Sequence, residues 1–372
     1  MSLADGSDLR EGSTIGLPRG LHHYDLYPFW RTFLEDIGFR VVVSPPTCRR
    51  LVEQGCAAAA DEACLPVKTF YGHVMDLRWN VEAVFVPRLV SLRPGTYTCP
   101  KMLGLPDMVR QNVRGMPRVV TADFDETRPG RGLLEAGVFL ARRLGRSRAL
   151  AKRALAKACG ALRAFRGSLE AGASFDEAAG EAIRLGQATP RGANRPRPAQ
   201  AAPMDPGTDR PDLSPEAKGC ARRLPPRNGK VRVGVIGHSY NIFDAGVSLG
   251  LMEKLSRLEC HLVTSEMLTE EEVQAESSRL PKEIFWSAGR RVLASATKFR
   301  REGLVDGVVH VVSFGCGPDS MVGEIAERET RRYSDIPYLA VTIDEHTAEA
   351  GLVTRLEAFV DMLERRRRRT RT

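Results

Sequence analysis

The sequence of 372 residues has no apolar run close to the roughly 20 residues that a membrane-spanning helix needs. Residues 1–8 are polar and acidic, and they lack the basic start and apolar centre of a signal peptide. We therefore expect a cytoplasmic protein that makes no membrane contact.

Glycine motifs that bind phosphate are also missing. The chain has no Gly-x-x-x-x-Gly-Lys-Ser/Thr sequence, and the glycines around Gly234 and Gly237 do not form Gly-x-Gly-x-x-Gly. Nucleotide binding would have to be inferred from the fold alone, which is a weak argument because one fold serves many functions.

Cysteine pairs with the spacing of a metal or redox motif are also missing from the sequence. The eight cysteines include no Cys-x-x-Cys pair, which gives no support to a zinc ribbon or a thioredoxin motif. In a long cytoplasmic chain, cysteines serve metal or redox chemistry more often than a disulfide framework. The sequence therefore directs attention to cysteines that are isolated along the chain and meet only in the fold.

Aromatic residues are scarce, at 6%, and this scarcity bears on the positive charge of the chain. The formal net charge is +9, and the basic excess lies mainly in residues 131–227 and 365–369. A nucleic-acid partner is one alternative for such a charge. Because few aromatic residues are interleaved with the arginines, we instead expect a solvated surface and no nucleic-acid partner.

Apolar runs and helical periodicities alternate along most of the chain, which is typical of an α/β fold. The pattern predicts two doubly wound, mostly parallel-sheet domains with a helical segment and a Pro-rich linker between them. The many prolines predict an extended or disordered linker, with an ordered wrapping arm as the alternative. The predicted boundaries are 1–125 for the first domain, 126–187 for the helical segment, 188–229 for the linker, 230–364 for the second domain and 365–372 for a basic tail.

Three of the isolated cysteines share one context. Cys64, Cys99 and Cys316 each lie at the end of a predicted strand or the start of a predicted helix, with a proline one or two residues later. The helix dipole and the free N–H groups at such a position favour a thiolate. Loops at strand ends line the crevice of an open α/β sheet, so the three thiols are predicted to converge between two domains. The alternative is that each is a small apolar core residue.

Converging thiolates select soft metals and iron–sulfur clusters. Cys48, which follows two prolines closely, is predicted as a spare ligand. The other four cysteines are predicted to be structural, and they are Cys56, Cys159, Cys220 and Cys260.

A polar cluster follows the last predicted strand. It contains Glu345 and His346, and the adjacent Thr347 can cap the last helix. Acid–base catalysis and a hydrogen bond to a cluster ligand are the functional interpretations, with helix capping as the alternative. His238 follows another predicted strand, and we group it with Glu345 and His346 as catalytic candidates for proton handling. A hydrogen-bonding role without catalysis is the alternative for each histidine.

At these motifs the sequence resembles the acyl-CoA dehydratase activase-related proteins, which are stand-alone relatives of the cluster-carrying subunits of 2-hydroxyacyl-CoA dehydratases. The resemblance covers nearly everything except roughly residues 125–228, and the cysteine segments are its most specific parts. The matching stretches are 15–21, 27–30, 64–68, 72–73, 97–101, 237–241, 280–282, 285–286, 311–320, 344–351 and 354–359.

The resemblance implies a [4Fe–4S] or larger iron–sulfur cluster between two α/β domains, with Cys64, Cys99 and Cys316 as its metal ligands. It also implies a separate ATP-hydrolysing activase as the electron donor. Because this chain lacks the nucleotide-binding glycine motifs of an activase, we do not expect it to be an ATPase itself.

The first functional hypothesis is that the chain accepts low-potential electrons from the activase and reduces or dehydrates a small molecule. An acyl-CoA is one candidate substrate. A non-catalytic electron-transfer or cluster-scaffold protein is one alternative, and a ligand-binding α/β protein with reduced cysteines is another. A homodimer or a heterodimer is compatible with each hypothesis.

Overall fold

The computed structural model describes residues 9–187, 224, 228–280 and 282–369. We call residues 9–187 the first half and residues 228–369 the second half. The strands are β1 (Thr14–Leu17), β2 (Arg40–Val43), β3 (Ala83–Phe85), β4 (Arg88–Ser91), β5 (Arg118–Val120), β6 (Asp123–Asp125), β7 (Arg232–Gly237), β8 (His261–Thr264), β9 (Gly307–Ser313) and β10 (Tyr338–Ile343).

Helices alternate with these strands in both halves. The helices are α1 (His23–Asp36), α2 (Arg49–Ala58), α3 (Leu65–Leu77), α4 (Pro100–Asn112), α5 (Leu133–Arg143), α6 (Arg148–Glu170), α7 (Phe175–Gln187), α8 (Ser239–Phe243), α9 (Leu251–Arg257), α10 (Glu270–Ser277), α11 (Ser287–Arg301), α12 (Gly317–Tyr333) and α13 (Glu349–Arg369). None of the described helices combines the length and the apolar character that a membrane span needs.

Each half is built on a parallel four-stranded sheet, and the two sheets share one topology. The strand order is β2-β1-β3-β5 in the first half and β8-β7-β9-β10 in the second. Each sheet therefore has a switch point, between β1 and β3 and between β7 and β9. Ligands of open α/β sheets bind outside the carboxyl ends of the strands at such points.

The second sheet is covered on both faces, which explains why its strands are almost continuously apolar. One face packs with α9 and α13 around buried residues such as Val309 and Leu356. The opposite face packs with α11 and α12 around Phe299 and Val322. The second half is therefore a three-layer α/β unit.

The helical segment after the first sheet shares that sheet's core. Phe165 of α6 and Phe175 at the start of α7 pack in one hydrophobic cluster with Phe29 of α1 and Phe85 of β3. The arginine-rich sequence of α6 is amphipathic, so its alanine and leucine face is buried while most of its basic side chains are exposed.

Side chains cross between the halves. Leu65 of the first half lies in a core cluster of the second, and Tyr240 and Cys316 of the second half lie in the core cluster of the first. A parallel β-bridge also joins Tyr97 to Trp286. The carboxyl edges of the two sheets are thereby brought to one interface.

These observations confirm the predicted α/β class with parallel sheets. Most of the predicted Pro-rich linker, with Cys220, lies outside the described residues, and the domain boundaries stay predictions. Residues 365–369, predicted as part of a basic tail, continue helix α13.

Candidate functional site

The three predicted ligand cysteines each occupy the position just before a helix. Cys64 precedes α3, Cys99 precedes α4 and Cys316 precedes α12, and each of these helices has a proline in its first two positions. A proline is tolerated there because the N–H that it lacks has no partner within the helix. The local sequence thus places three thiols at three helix N-termini.

The three thiols are close enough to affect one buried hydroxyl. Burial raises the pKa of Tyr240, and the neighbouring Cys316, Cys64 and Cys99 raise it further. Gly315 lies against the start of α3, since a Cβ atom at this position would be 3.9 Å from Cys64 Cα. Two cysteines from the first half and one from the second therefore lie near Tyr240 and near one another at the interface.

Lys101, in the first turn of α4, forms hydrogen bonds to two loops of this site. Its Nζ donates to the carbonyl oxygen of Glu62 at 2.8 Å and to that of Gly315 at 3.4 Å. The ammonium therefore contacts the loops that precede Cys64 and Cys316, and it adds positive charge beside the thiols.

Two of the three thiols have raised pKa values, whereas the sequence led us to expect thiolates. Burial raises the pKa of Cys64, and the positive charge of Lys101 only partly opposes this effect. Burial and the carboxylate of Asp319 raise the pKa of Cys316. For Cys64 and Cys316, burial therefore outweighs the neighbours that would lower the thiol pKa.

A buried polar network adjoins Cys316. His310 Nε2 lies 3.2 Å from Asp319 Oδ1, and His310 Nδ1 lies 2.9 Å from the hydroxyl of Tyr338. Burial raises the pKa of Asp319, but His238 and His310 outweigh it, and the net pKa is lowered. A carboxylate acceptor next to His310 fixes the Nε2 tautomer, so Tyr338 donates to His310 Nδ1.

His238, another predicted site residue, also lies beside this network. Its Nδ1 is 2.5 Å from the Tyr240 hydroxyl, and its Nε2 is 4.0 Å from Asp319 Oδ1. Burial lowers the pKa of His238, so its neutral form is favoured. Among the described residues, His238 Nε2 and Asp319 Oδ2 are buried without a hydrogen-bond partner.

One ligand atom from each of His238, Cys316 and Asp319 fits within a 4.8 Å group that could hold a metal ion. The three residues are buried, and they supply nitrogen, sulfur and oxygen donors. Sequence reasoning grouped Cys316 with the other cysteines only. Asp319 lies three residues after Cys316, in the matching stretch 311–320, but its burial could not be predicted from the sequence.

The other two predicted site residues, Glu345 and His346, have their contacts away from the three thiols. Glu345 forms an ion pair with Lys68 across the interface, with Nζ and Oε1 2.5 Å apart. His346 is exposed, and its backbone N–H donates to Asp344 Oδ1. Thr347 Oγ1 accepts a hydrogen bond from the backbone N–H of Asp344 and donates to Asp344 Oδ1, so this hydroxyl closes the turn before α13. Cys48 is exposed.

A pocket with a volume of ≈ 290 Å³ opens beside the cysteine site. Cys99, Tyr240 and His238 line one part of it. Its other part carries charged side chains from both halves, which are Asp25, Arg93, Arg163, Arg166, Glu170, Glu266, Glu270, Glu271 and Arg291. Sequence reasoning missed these residues because they are far apart along the chain and match no motif.

The family model described as the CoA enzyme activase uncharacterised domain matches residues 14–268, which is more than half of the chain. The matched part contains Cys64, Cys99 and His238, whereas Cys316 lies beyond it. No curated protein matches the chain. The chain therefore belongs to the CoA enzyme activase uncharacterised domain family.

Proposed function

We propose that the chain is an iron–sulfur protein related to the cluster-carrying subunits of 2-hydroxyacyl-CoA dehydratases. Cys64, Cys99 and Cys316 would hold a [4Fe–4S] or larger cluster between the two halves. The observation that supports this proposal is that three thiols, each directly before a helix, all act on the pKa of the buried Tyr240.

The residues present fit such a group. Thiolates are the ligands that iron–sulfur clusters use, and free N–H groups at helix starts stabilise the negative charge of the ligands. Lys101 adds a further positive charge. The raised pKa values of Cys64 and Cys316 mean that loading would release protons, as expected where metal binding is coupled to site formation.

A bound cluster supplies one-electron chemistry at low potential. The residues of this chain would hold it away from water and position a small molecule in the pocket beside Cys99. His238 and Tyr240 border both the thiols and the pocket, so His238 remains our candidate for proton handling there, with Glu345 and His346 as weaker candidates outside the pocket.

We further propose a cytoplasmic protein that takes electrons from a separate ATP-hydrolysing activase and reduces or dehydrates this small molecule. An acyl-CoA remains one candidate, and the pocket volume suits its acyl end better than the whole molecule. The alternative is a non-catalytic electron-transfer or cluster-scaffold protein. The pocket beside Cys99 favours the enzyme.

A second candidate is a mononuclear metal protein. The buried group of His238, Cys316 and Asp319 favours it, since a buried imidazole nitrogen and a buried carboxylate oxygen face this group without partners among the described residues. The two candidates share Cys316 and differ in Cys64, which belongs to the cluster alone.

Anaerobic purification with iron, zinc and sulfide analysis separates the candidates. We expect iron and acid-labile sulfide in the wild-type protein, and loss of both in Cys64→Ser. Cys260→Ser is the matched control, because Cys260 lies in the second half, where its thiol contacts the carbonyl of Leu258. It should keep the wild-type iron content.

One metal ion per chain without sulfide, retained in Cys64→Ser and lost in His238→Ala, would instead establish the mononuclear site. Equal iron and sulfide in Cys64→Ser and Cys260→Ser would remove the cluster proposal. Wild-type protein with neither metal would remove both.

A further inference from the structure

The hairpin of helices α5 and α6 has a groove on its surface, between residues 134–143 and 148–163. Its volume is ≈ 1000 Å³, and all of its lining side chains come from these two helices. The helices pack closely beneath it, since a Cβ atom at Gly137 would lie 2.6 Å from Leu155 Cδ2. We call this feature the α5–α6 groove.

The floor of the α5–α6 groove is apolar. Leu155 and Cys159 of α6 are buried there, and Leu134 and Val138 of α5 are half-buried beside them. Phe139 lies in the same lining and is 60% exposed to water. A large apolar surface that stays open to solvent is typical of a place where another molecule binds.

Both walls of the groove carry positive charge. Residues 128–169 contain nine arginines and two lysines, and Glu135 is the one acidic residue of this stretch. Arg142 lines the α5 wall, and Arg148 and Lys152 line the α6 wall, all with exposed side chains. These three cations face one carboxylate, because Glu135 is the only acidic residue among the described residues of the lining.

The positive excess does not depend on the other basic side chains of the hairpin. Arg153 and Lys157 both pair with Asp36 of α1. Arg143 has a hydrogen bond outside the groove. Arg163 also lines the pocket beside Cys99, which contains several carboxylates. The groove keeps its excess of positive charge without any of these four.

A third helix fits the shape of the groove. The α5 wall has 11 residues and is about 16 Å long, which corresponds to about three helical turns. An amphipathic helix can place an apolar stripe with i, i+3/i+4 and i+7 spacing on such a floor. Carboxylates on the two edges of that helix then lie against the cations of the two walls.

Other occupants match the groove less well. A bilayer surface is planar and does not fill a concave groove between two helices, and a nucleic acid has no apolar face for the floor. Residues 188–227 of this chain contain eight basic and four acidic residues, so the walls repel this segment. A second copy of the chain, with its formal net charge of +9, is also a poor electrostatic match.

We propose that the α5–α6 groove docks an acidic amphipathic helix of a partner protein. The apolar side of that helix covers Phe139, and its carboxylates lie against Arg142, Arg148 and Lys152. The groove belongs to the part of the chain that the resemblance to the dehydratase-related proteins leaves out. This interaction goes beyond the proposed function and needs no metal.

Fluorescence anisotropy on the full chain, with labelled peptides at physiological ionic strength, tests the proposal. The main probe is a helix of about 14 residues, or four turns, with leucines in one stripe and glutamates elsewhere. A second peptide has the same residues in an order that breaks the stripe, and a third has lysine in place of glutamate. We expect the first peptide to bind, the second to bind at least about tenfold more weakly and the third not to bind.

Two variants with matched controls locate the binding. Phe139→Ser should weaken binding of the main probe about tenfold, because it removes an apolar ring from the floor. Leu185→Ser is its control, since Leu185 is a largely exposed apolar residue of α7 outside the groove. Lys152→Glu should weaken binding about fivefold, because it reverses a charge on the α6 wall. Arg184→Glu, at an exposed position of α7, is the control for this charge reversal, and both controls should stay within about twofold of the wild type.

The proposal is overturned if the peptide with the broken stripe binds as tightly as the amphipathic one, or if no acidic peptide binds. It is also overturned if Phe139→Ser and Lys152→Glu both match their controls. Vesicles of phosphatidylcholine with phosphatidylserine, and a single-stranded oligonucleotide, are measured in the same way. If Lys152→Glu weakens binding of one of these and the peptide does not bind, the groove serves a membrane or a nucleic acid instead. No cysteine is changed in these measurements, so their outcome is independent of the iron and sulfide analysis.

Discussion

Lys68 and Glu345 illustrate at the scale of single residues how the two halves are joined. Lys68 is buried within α3, and its ammonium lies 2.5 Å from Glu345 Oε1 in the turn after β10. Burial disfavours the charged form of both groups, but the hydrogen bond and the attraction between their charges have a larger effect. The pKa of Lys68 is therefore raised and that of Glu345 is lowered. The ion pair gives Glu345 an interface role that the sequence did not reveal.

Glu345→Gln should lower the free energy of unfolding by about 2 kcal/mol at pH 7, because it leaves the ammonium of Lys68 without its anion. The pKa of Glu345 is lowered in the folded state from 4.5, so this stabilisation is present above pH 4.5 and is lost as the pH falls through the lower folded-state value. Urea unfolding of both proteins between neutral and acid pH measures the difference.

Glu53→Gln provides the control for this prediction. Glu53 pairs with Arg49 four residues away in α2, and both side chains are largely exposed. An exposed pair of this kind contributes less than about 0.5 kcal/mol. If the free energy of unfolding fell equally in Glu345→Gln and Glu53→Gln, the interface ion pair would stabilise the protein no more than an exposed pair does.

Residue patterns alone could identify some of the site and not the rest. Cys64, Cys99 and Cys316 were recognisable because each carries a local mark, a following proline at a helix start. Arg93 and Arg166 carry no such mark. Both line the pocket beside Cys99, because a loop after β4 and the last turns of α6 bring them there.

At the scale of elements, the crossing of α2 and α3 sets the position of Cys64. A Cβ atom at Gly72 would lie 1.9 Å from the carbonyl oxygen of Leu51, and one at Gly55 would lie 1.9 Å from that of Lys68. The two helices therefore touch backbone to backbone. Any side chain at these glycines must push α3 away, and Cys64 and Lys68 move with it.

Gly72→Ala should therefore reduce the free energy of unfolding by about 3 kcal/mol, the upper range for overpacking a tight contact. Gly160→Ala is the matched control within α6, where an added Cβ meets no atom within 4 Å. It should stabilise the protein by about 0.5–1 kcal/mol, because alanine is the better helix former. Denaturant unfolding of both variants measures whether each free energy of unfolding rises or falls. An increase for Gly72→Ala would contradict the close contact between α2 and α3.

Element boundaries show where sequence patterns succeed and where they fail. The sequence pattern predicts a helix over 287–301 and a strand over 338–343, and helix α11 and strand β10 have these bounds. The apolar periodicity of residues 242–255 predicts one helix, whereas the structure has α8 and α9 with a turn between them. Leu249 and Gly250 adopt φ of 54° and 67°, which a continuing helix cannot accommodate. Side-chain periodicity does not report such a backbone turn.

At the scale of the whole molecule, the shared topology of the two sheets explains the site. His238 follows β7 and Cys316 follows β9, the two strands at the switch point of the second sheet. The sequence predicted this alternation of strands and helices, and hence the class of fold. It could not predict how the two halves face each other, because that depends on contacts such as Tyr97 with Trp286.

Because the proposed ligands come from both halves, loading the site should stabilise the molecule as a unit. Cys64 and Cys99 belong to the first half and Cys316 to the second, so a group bound to all three exists only in the assembled protein. A ligand at one hundred times its dissociation constant stabilises the folded state by about 2.7 kcal/mol, which for a chain of 372 residues corresponds to a rise of roughly 3–4 °C in Tm. Anaerobic calorimetry before and after reconstitution with iron and sulfide measures this rise.

Cys64→Ser should show no rise after the same treatment, whereas Cys260→Ser should rise like the wild type. A rise in wild-type Tm that Cys64→Ser reproduces would mean that iron binds without bridging the halves, as it would at His238, Cys316 and Asp319. The stabilisation therefore reports which set of side chains holds the metal, since a group bound by Cys64 and Cys316 would link the N-terminus of α3 to that of α12, whereas one bound by His238, Cys316 and Asp319 would not.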